Sequence, residues 1–130
     1  MRRLLALVII LAALCGPSLP VQGQALPCGL VRSPVAYEYE SITVDTTAIG
    51  FTATKLNSGS NTAAAVRVTQ EVDVMRYRTD GTAPTSTEGH KRSSTDTGLW
   101  FCHNFSGIKF IRDTSSTGSG ALKVTYYRRG

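Results

Sequence analysis

His90, Asp96, Cys102 and His103 are the residues of this chain whose types could do chemistry, and they fall within one short span. Imidazoles, a carboxylate and a thiolate are the groups that hold zinc, and a cysteine with a nearby histidine is the raw material of a nucleophile and its base. Their spacing fits neither use. The four residues match no recognised ligand pattern, and a disulfide accounts better for Cys102. The chain also lacks a serine on a strand-turn-helix motif, a glycine-rich phosphate loop opening a helix, and a carboxylate pair placed as acid and base. An enzyme built on His90 or His103 would need those side chains to converge with a carboxylate in a pocket. We therefore expect a protein that is not an enzyme and has no metal and no cofactor.

Recognition through aromatic rings is the sharper possibility. Trp100, the one tryptophan, together with Tyr37, Tyr39, Tyr77, Tyr126 and Tyr127, offers surfaces on which a sugar ring stacks, while Arg76, Arg78 and Lys109 offer cations to read acidic groups. The candidate binding surface is Arg76, Arg78, Trp100 and Lys109. Against an exposed platform stands the expectation that "GLWFC" buries Trp100, or its neighbour Phe101, between sheets beside the disulfide. Asn104 in "NFS" reads as an ordinary loop residue. Nucleic acid is not an expected partner, because the basic residues mostly alternate outward on strands without the aromatic interleaving of an RNA-reading motif.

These residues work in a compartment set by the first 25. Arg2 and Arg3, an apolar run from Leu4 to Cys15, a break at Gly16 and Pro17, and small residues at Gly23 and Ala25 read as a secretory signal peptide. The apolar run is shorter than the roughly 20 residues that a spanning helix needs, so no permanent membrane span is expected. Cys15 leaves with the leader. The exported chain, periplasmic, at the cell surface, secreted or carried on a virion, keeps Cys28 and Cys102 in an oxidising place, and a disulfide between them is the economical inference. Closing so long a loop is worth about 4 kcal/mol, less any strain.

Charge is divided along the chain. Between Leu26 and Met75 the basic residues are Arg32, Lys55 and Arg67, against Glu38, Glu40, Asp45, Glu71 and Asp73; the rest of the chain is basic on balance. Three outcomes fit: pairing of the halves across a sheet, head-to-tail contact between copies, or an anionic partner such as a polysaccharide or an acidic protein surface.

Apolar residues recur at period two and almost never at helical spacing, with separators rich in Gly, Ser, Thr and Asn, so the sequence is all-β. Strands are expected at 35–45, 49–55, 63–70, 74–79, 98–102, 107–112 and 121–128. In the last, Leu122, Val124 and Tyr126 face the core; in "AAAVRVTQEVDV", Val66, Val68 and Val72 share one side and Arg67, Thr69 and Glu71 the other. The separators "LNSGSNT" and "DTSSTGSG" read as hairpin connections. About seven short strands make residues 26–130 one two-layer β-sandwich, immunoglobulin-like or jelly-roll-like.

The stretch "RYRTDGTAPTSTEGH" is a long polar turn: Asp80 and Gly81 tolerate positive φ, Pro84 fixes φ, and Thr82, Thr85, Ser86 and Thr87 can bond exposed backbone. With its Asp80, Gly81, Pro84 and Thr85 it resembles the turn of small immunoglobulin-like accessory modules of bacterial glycosidases, the chitobiase C-terminal type. Taken with "GIKFIRD" and "ALKVTYYRR", it is also similar to small β-sandwich proteins encoded among phage and prophage structural genes. That second resemblance spans residues 42–128 and implies a non-enzymatic role decorating or stabilising a shell or fibre, although an export signal departs from that pattern. The leading expectation is thus a phage-like or surface structural protein that contacts itself or a larger assembly. The alternative is a carbohydrate-binding or adhesion module, with an anionic polysaccharide among its possible ligands.

Overall fold

The computed structural model describes residues 27–30 and 32–130, and the expected leader, with Cys15, lies outside the described residues. The described residues form ten strands in chain order: β1 (Val35–Val44), β2 (Ile49–Gly50), β3 (Asn57–Ser58), β4 (Asn61–Thr62), β5 (Ala65–Val72), β6 (Val74–Arg78), β7 (His90–Ser93), β8 (Leu99–Phe101), β9 (Lys109–Arg112) and β10 (Gly120–Arg128). An α-helical turn, α1 (Ala53–Leu56), and a 3-10 turn at Phe105–Gly107 interrupt them. A first sheet has the order β1-β10-β5-β8 and a second the order β2-β9-β6-β7, while β3 and β4 form a separate ribbon. The two four-stranded antiparallel sheets pack face to face as an all-β sandwich.

The core is the set of inward residues from both layers. Ile42, Val44, Val66, Val68, Phe101, Leu122, Val124 and Tyr126 come from the first sheet, and Met75 and Phe110 from the second. Edge-on contacts of Phe51 with Phe101, Phe110 and Tyr126 lock the layers together. Each large apolar side chain buried in this way contributes about 1.5–3 kcal/mol. Leu122, Val124 and Tyr126 face inward as their alternation predicts.

Val72 does not follow its alternation. The pairing of β10 with β5 runs Leu122 to Gln70 and then Ala121 to Val72, so Glu71 is an extra residue that bulges out of the ladder. A bulge reverses which side the next residue takes, and Val72 is left exposed.

Two other stretches depart from the expected strands. Residues 49–55 pair only at Ile49 and Gly50, after which the chain coils into α1. Phe51 and Leu56 are an odd number of residues apart, so an extended strand would send them to opposite faces. The turn lets Phe51 pack against the core while Leu56 is buried within it. Tyr37 secures the turn by donating its hydroxyl to the carbonyls of Lys55 and Leu56. "DTSSTGSG" is also no hairpin: it carries the chain from β9 in the second sheet to β10 in the first. Asp73 makes a tighter crossing between the layers. Its φ of 68° turns β5 straight into β6, and its carboxylate accepts the N–H groups of Val74 and Gly118.

Candidate functional site

Alternation that buries every second residue of the first sheet turns the others outward, and the strand register lines them up. Tyr39 pairs with Thr125, Thr125 with Arg67 and Arg67 with Trp100, so one row crosses β1, β10, β5 and β8. On one side of that row lie Ala36, Tyr127 and Ala65, and on the other Ser41, Lys123 and Thr69. Phe101 takes the buried position beside the disulfide, at 7 % exposure, and its neighbour Trp100 therefore faces out.

Trp100 and Tyr127 meet with ring centroids 5.0 Å apart at 43°. The guanidinium carbon of Arg67 lies 5.9 Å from the indole centroid, within the range of a cation–π contact. Gly98 makes room for this, since a Cβ there would come within 3.2 Å of Arg67 Nε and of Thr69 Cγ2. Tyr39, at the far end of the row, is 52 % exposed. The face thus combines aromatic rings, the hydroxyls of Ser41, Thr43, Thr69 and Thr125, and the cations Arg67 and Lys123. Glu71, at the bulge, has its carboxylate 3.4 Å from Lys123 Nζ.

Next to the aromatic pair the face opens into a cleft of about 400 Å³ lined by Thr62, Ala63, Ala64, Cys102 and Arg129. Ala64 N–H donates to the carbonyl of Tyr127, so the main chain lining the cleft runs beside that of Tyr127. The expected disulfide is present, with Cys28 and Cys102 at a Cα separation of 5.0 Å, and it ties the start of the described chain to the end of β8.

Arg76, Arg78 and Lys109 lie on the other layer. They project from the outside of the second sheet, so the structure does not bring them together with Trp100. Arg76 is engaged by Asp113 Oδ2 at 2.5 Å and by the carbonyl of Gly89. Arg78 donates to Asp80 at 2.5 Å, and this pairing holds the Asp80 carboxyl down to about 2. Lys109 extends along Gly50.

The polar turn is a structural corner. Asp80 accepts the N–H of Thr82, Gly81 takes a φ of 87°, Thr85 and Glu88 exchange backbone hydrogen bonds, and Pro84 is buried. Gly89 packs against Pro84 and Arg76, so the loop from 79 to 89 folds back over the second sheet. Beneath it Asp113 is 2 % exposed. It accepts the hydroxyl and N–H of Ser115 as well as Arg76, and these bonds hold its carboxyl well below the usual carboxylate range.

Among the described residues no group of three or more His, Cys, Asp and Glu side chains is arranged to hold a metal ion. His90 is exposed and stacks beside Tyr77 with centroids 5.1 Å apart; His103 is exposed after β8. Asn104 donates to the carbonyl of Thr79, a loop-fastening bond. Of the tyrosines considered for a platform, Tyr39 and Tyr127 are on the outer face, Tyr37 and Tyr77 pack against the core, and Tyr126 is within it.

Arg67, Lys123 and Arg129 are the members of the face that sequence reasoning missed. The outward direction of Arg67 was legible from "AVRVT", but its meeting with Trp100 depends on β5 pairing with β8, which no local pattern encodes. Among the described residues, no helix is long and apolar enough to cross a membrane. Comparison of the chain with protein-family models, with curated proteins and with solved structures finds no match.

Proposed function

We propose that the protein is a non-catalytic glycan-binding module of the exported or cell-surface kind, working through the outer face of the first sheet. The row Tyr39, Thr125, Arg67 and Trp100, with Tyr127 beside it, is the observation that carries this reading. Aromatic rings supply apolar contact for sugar faces at small entropic cost, and flanking hydroxyls and cations supply directional partners for sugar oxygens. Neighbouring strands lie about 4.8 Å apart, so the row extends over roughly 14 Å, a length suited to a chain of sugars. Glycan-array binding by the wild type and by Trp100→Ala tests the reading. Loss of signal with an unchanged melting temperature supports it, and equal binding by the variant removes it.

A second reading, a decoration-type subunit of a phage-like or surface assembly, is favoured by β1. This strand of ten residues has β10 as its only partner among the described residues. An open edge of that length is a template for a strand from another chain. Light scattering separates the two readings, because assembly through β1 gives a mass that rises with concentration.

A further inference from the structure

We infer that the polymer bound by this face is anionic, a polysaccharide whose sugar rings carry carboxylate or sulfate groups. The inference rests on the glycan-binding reading and names its ligand class.

The carboxylates of the acidic first half are each held in place, by a cation or by neutral donors. Glu38 is held by Lys55, Asp45 by Arg112, and Glu71 by Lys123. Glu40 accepts the Tyr126 hydroxyl and the Thr52 N–H, and Asp73 accepts the N–H groups of Val74 and Gly118. No comparable accounting holds for the cations. Arg32, Arg67, Lys109, Arg128 and Arg129 have no carboxylate within 4.0 Å among the described residues. The surplus left on the surface is positive.

Two of those free cations border the aromatic pair. Arg67 lies over Trp100, and Arg129 lines the cleft next to Tyr127. A guanidinium presents its N–H groups as a planar fork that matches a carboxylate or sulfate. The contact with the indole leaves that fork's donors free, and the Arg67 guanidinium donates no hydrogen bond to the described residues. A sugar ring set against Trp100 and Tyr127 would carry its acidic substituent into reach of Arg67. A neutral glycan would offer both forks hydroxyl acceptors but no charge-assisted, bidentate partner.

Affinity gel electrophoresis of the oxidised chain tests this with four polymers: polygalacturonate, dextran sulfate, uncharged dextran and oligo(dT). The expected result is retardation by polygalacturonate or dextran sulfate, at least roughly tenfold weaker retardation by uncharged dextran, and weakening as salt rises. Arg67→Gln should weaken anionic binding by roughly tenfold, the loss of one charge-assisted pair, while Lys109→Gln leaves it unchanged. Retardation by polygalacturonate alone assigns the carboxylate source, and by dextran sulfate alone the sulfate source. Equal retardation by uncharged dextran, abolished by Trp100→Ala, would overturn the anionic inference and leave the glycan-binding reading standing. No retardation by any sugar polymer would overturn both. Stronger retardation by oligo(dT) would replace the polysaccharide with a nucleic acid, and loss through Lys109→Gln alone would move the site to the second sheet.

Discussion

A carboxylate as thoroughly buried as Asp113 persists because it is surrounded by donors: Arg76, the Ser115 hydroxyl and N–H, and Lys91 at 3.4 Å. Removing its charge leaves Arg76 facing a neutral group under the loop. Asp113→Asn should lower stability by about 2–3 kcal/mol in urea unfolding, toward the low end for a broken buried pair because Arg76 keeps some access to water. The pH dependence follows from the same bonds. Asp113, Asp73 and Asp80 all titrate below the ordinary carboxylate range in the folded chain, so the stability they contribute is complete above that range, near pH 5. It is lost as pH falls through the folded values. Urea midpoints should therefore stay flat from neutral pH to about 5 and fall below about 4, with a shallower fall in Asp113→Asn. The same scale shows one limit of the sequence. Alternation says that Trp100 and Phe101 face opposite ways, but which of them faces in depends on the layer behind β8.

Elements with a strong apolar alternation, such as β10 and the first half of β5, were legible because side-chain burial alone sets their register. β7 was not legible. It is the edge of the second sheet, its sequence "HKRS" buries nothing fully, and it exists through its pairing with β6. The bulge at Glu71 and the coil at α1 were hidden because each breaks the alternation on which the strand pattern rests. The loop between β6 and β7 was legible as a turn from Asp80, Gly81 and Pro84, yet its folding over the second sheet depends on Gly89. That residue has a φ of 123°, and a Cβ there would lie 2.9 Å from the carbonyl of Tyr77 and 3.2 Å from Pro84. Gly89→Ala should cost about 1–3 kcal/mol and raise amide exchange between residues 79 and 89. Hydrogen exchange that stays as slow as in the wild type would show that the loop holds its place without the glycine.

For the whole molecule, the division into an acidic and a basic half matters less than where the charges come to rest. Two ion pairs, Arg112 with Asp45 and Lys123 with Glu71, join the halves directly. Of the other acidic residues of the first half, Glu38 pairs with Lys55, while Glu40 and Asp73 accept hydrogen bonds from neutral donors, so little exposed negative charge is left there to receive the positive surface of another copy. Exposed pairs of this kind contribute less than about 1 kcal/mol each to stability; their consequence is for association. Head-to-tail assembly by opposite charge needs both signs on offer, and among the described residues Glu88 has the one exposed side-chain carboxylate without an ion-pair partner. The disulfide adds a separate constraint, closing a loop across a sequence separation of 74. Replacing Cys28 and Cys102 with serine together should remove up to about 4 kcal/mol of stability while leaving the charge pairing in place. Light scattering of the oxidised chain at low and high salt should accordingly return a monomer mass at both. A salt-sensitive oligomer would mean that the free cations find their carboxylates on another copy, and the cationic face would then be an assembly contact. A salt-insensitive oligomer would point to the open edge of β1 instead, where backbone hydrogen bonds, and not charge, hold the partner strand.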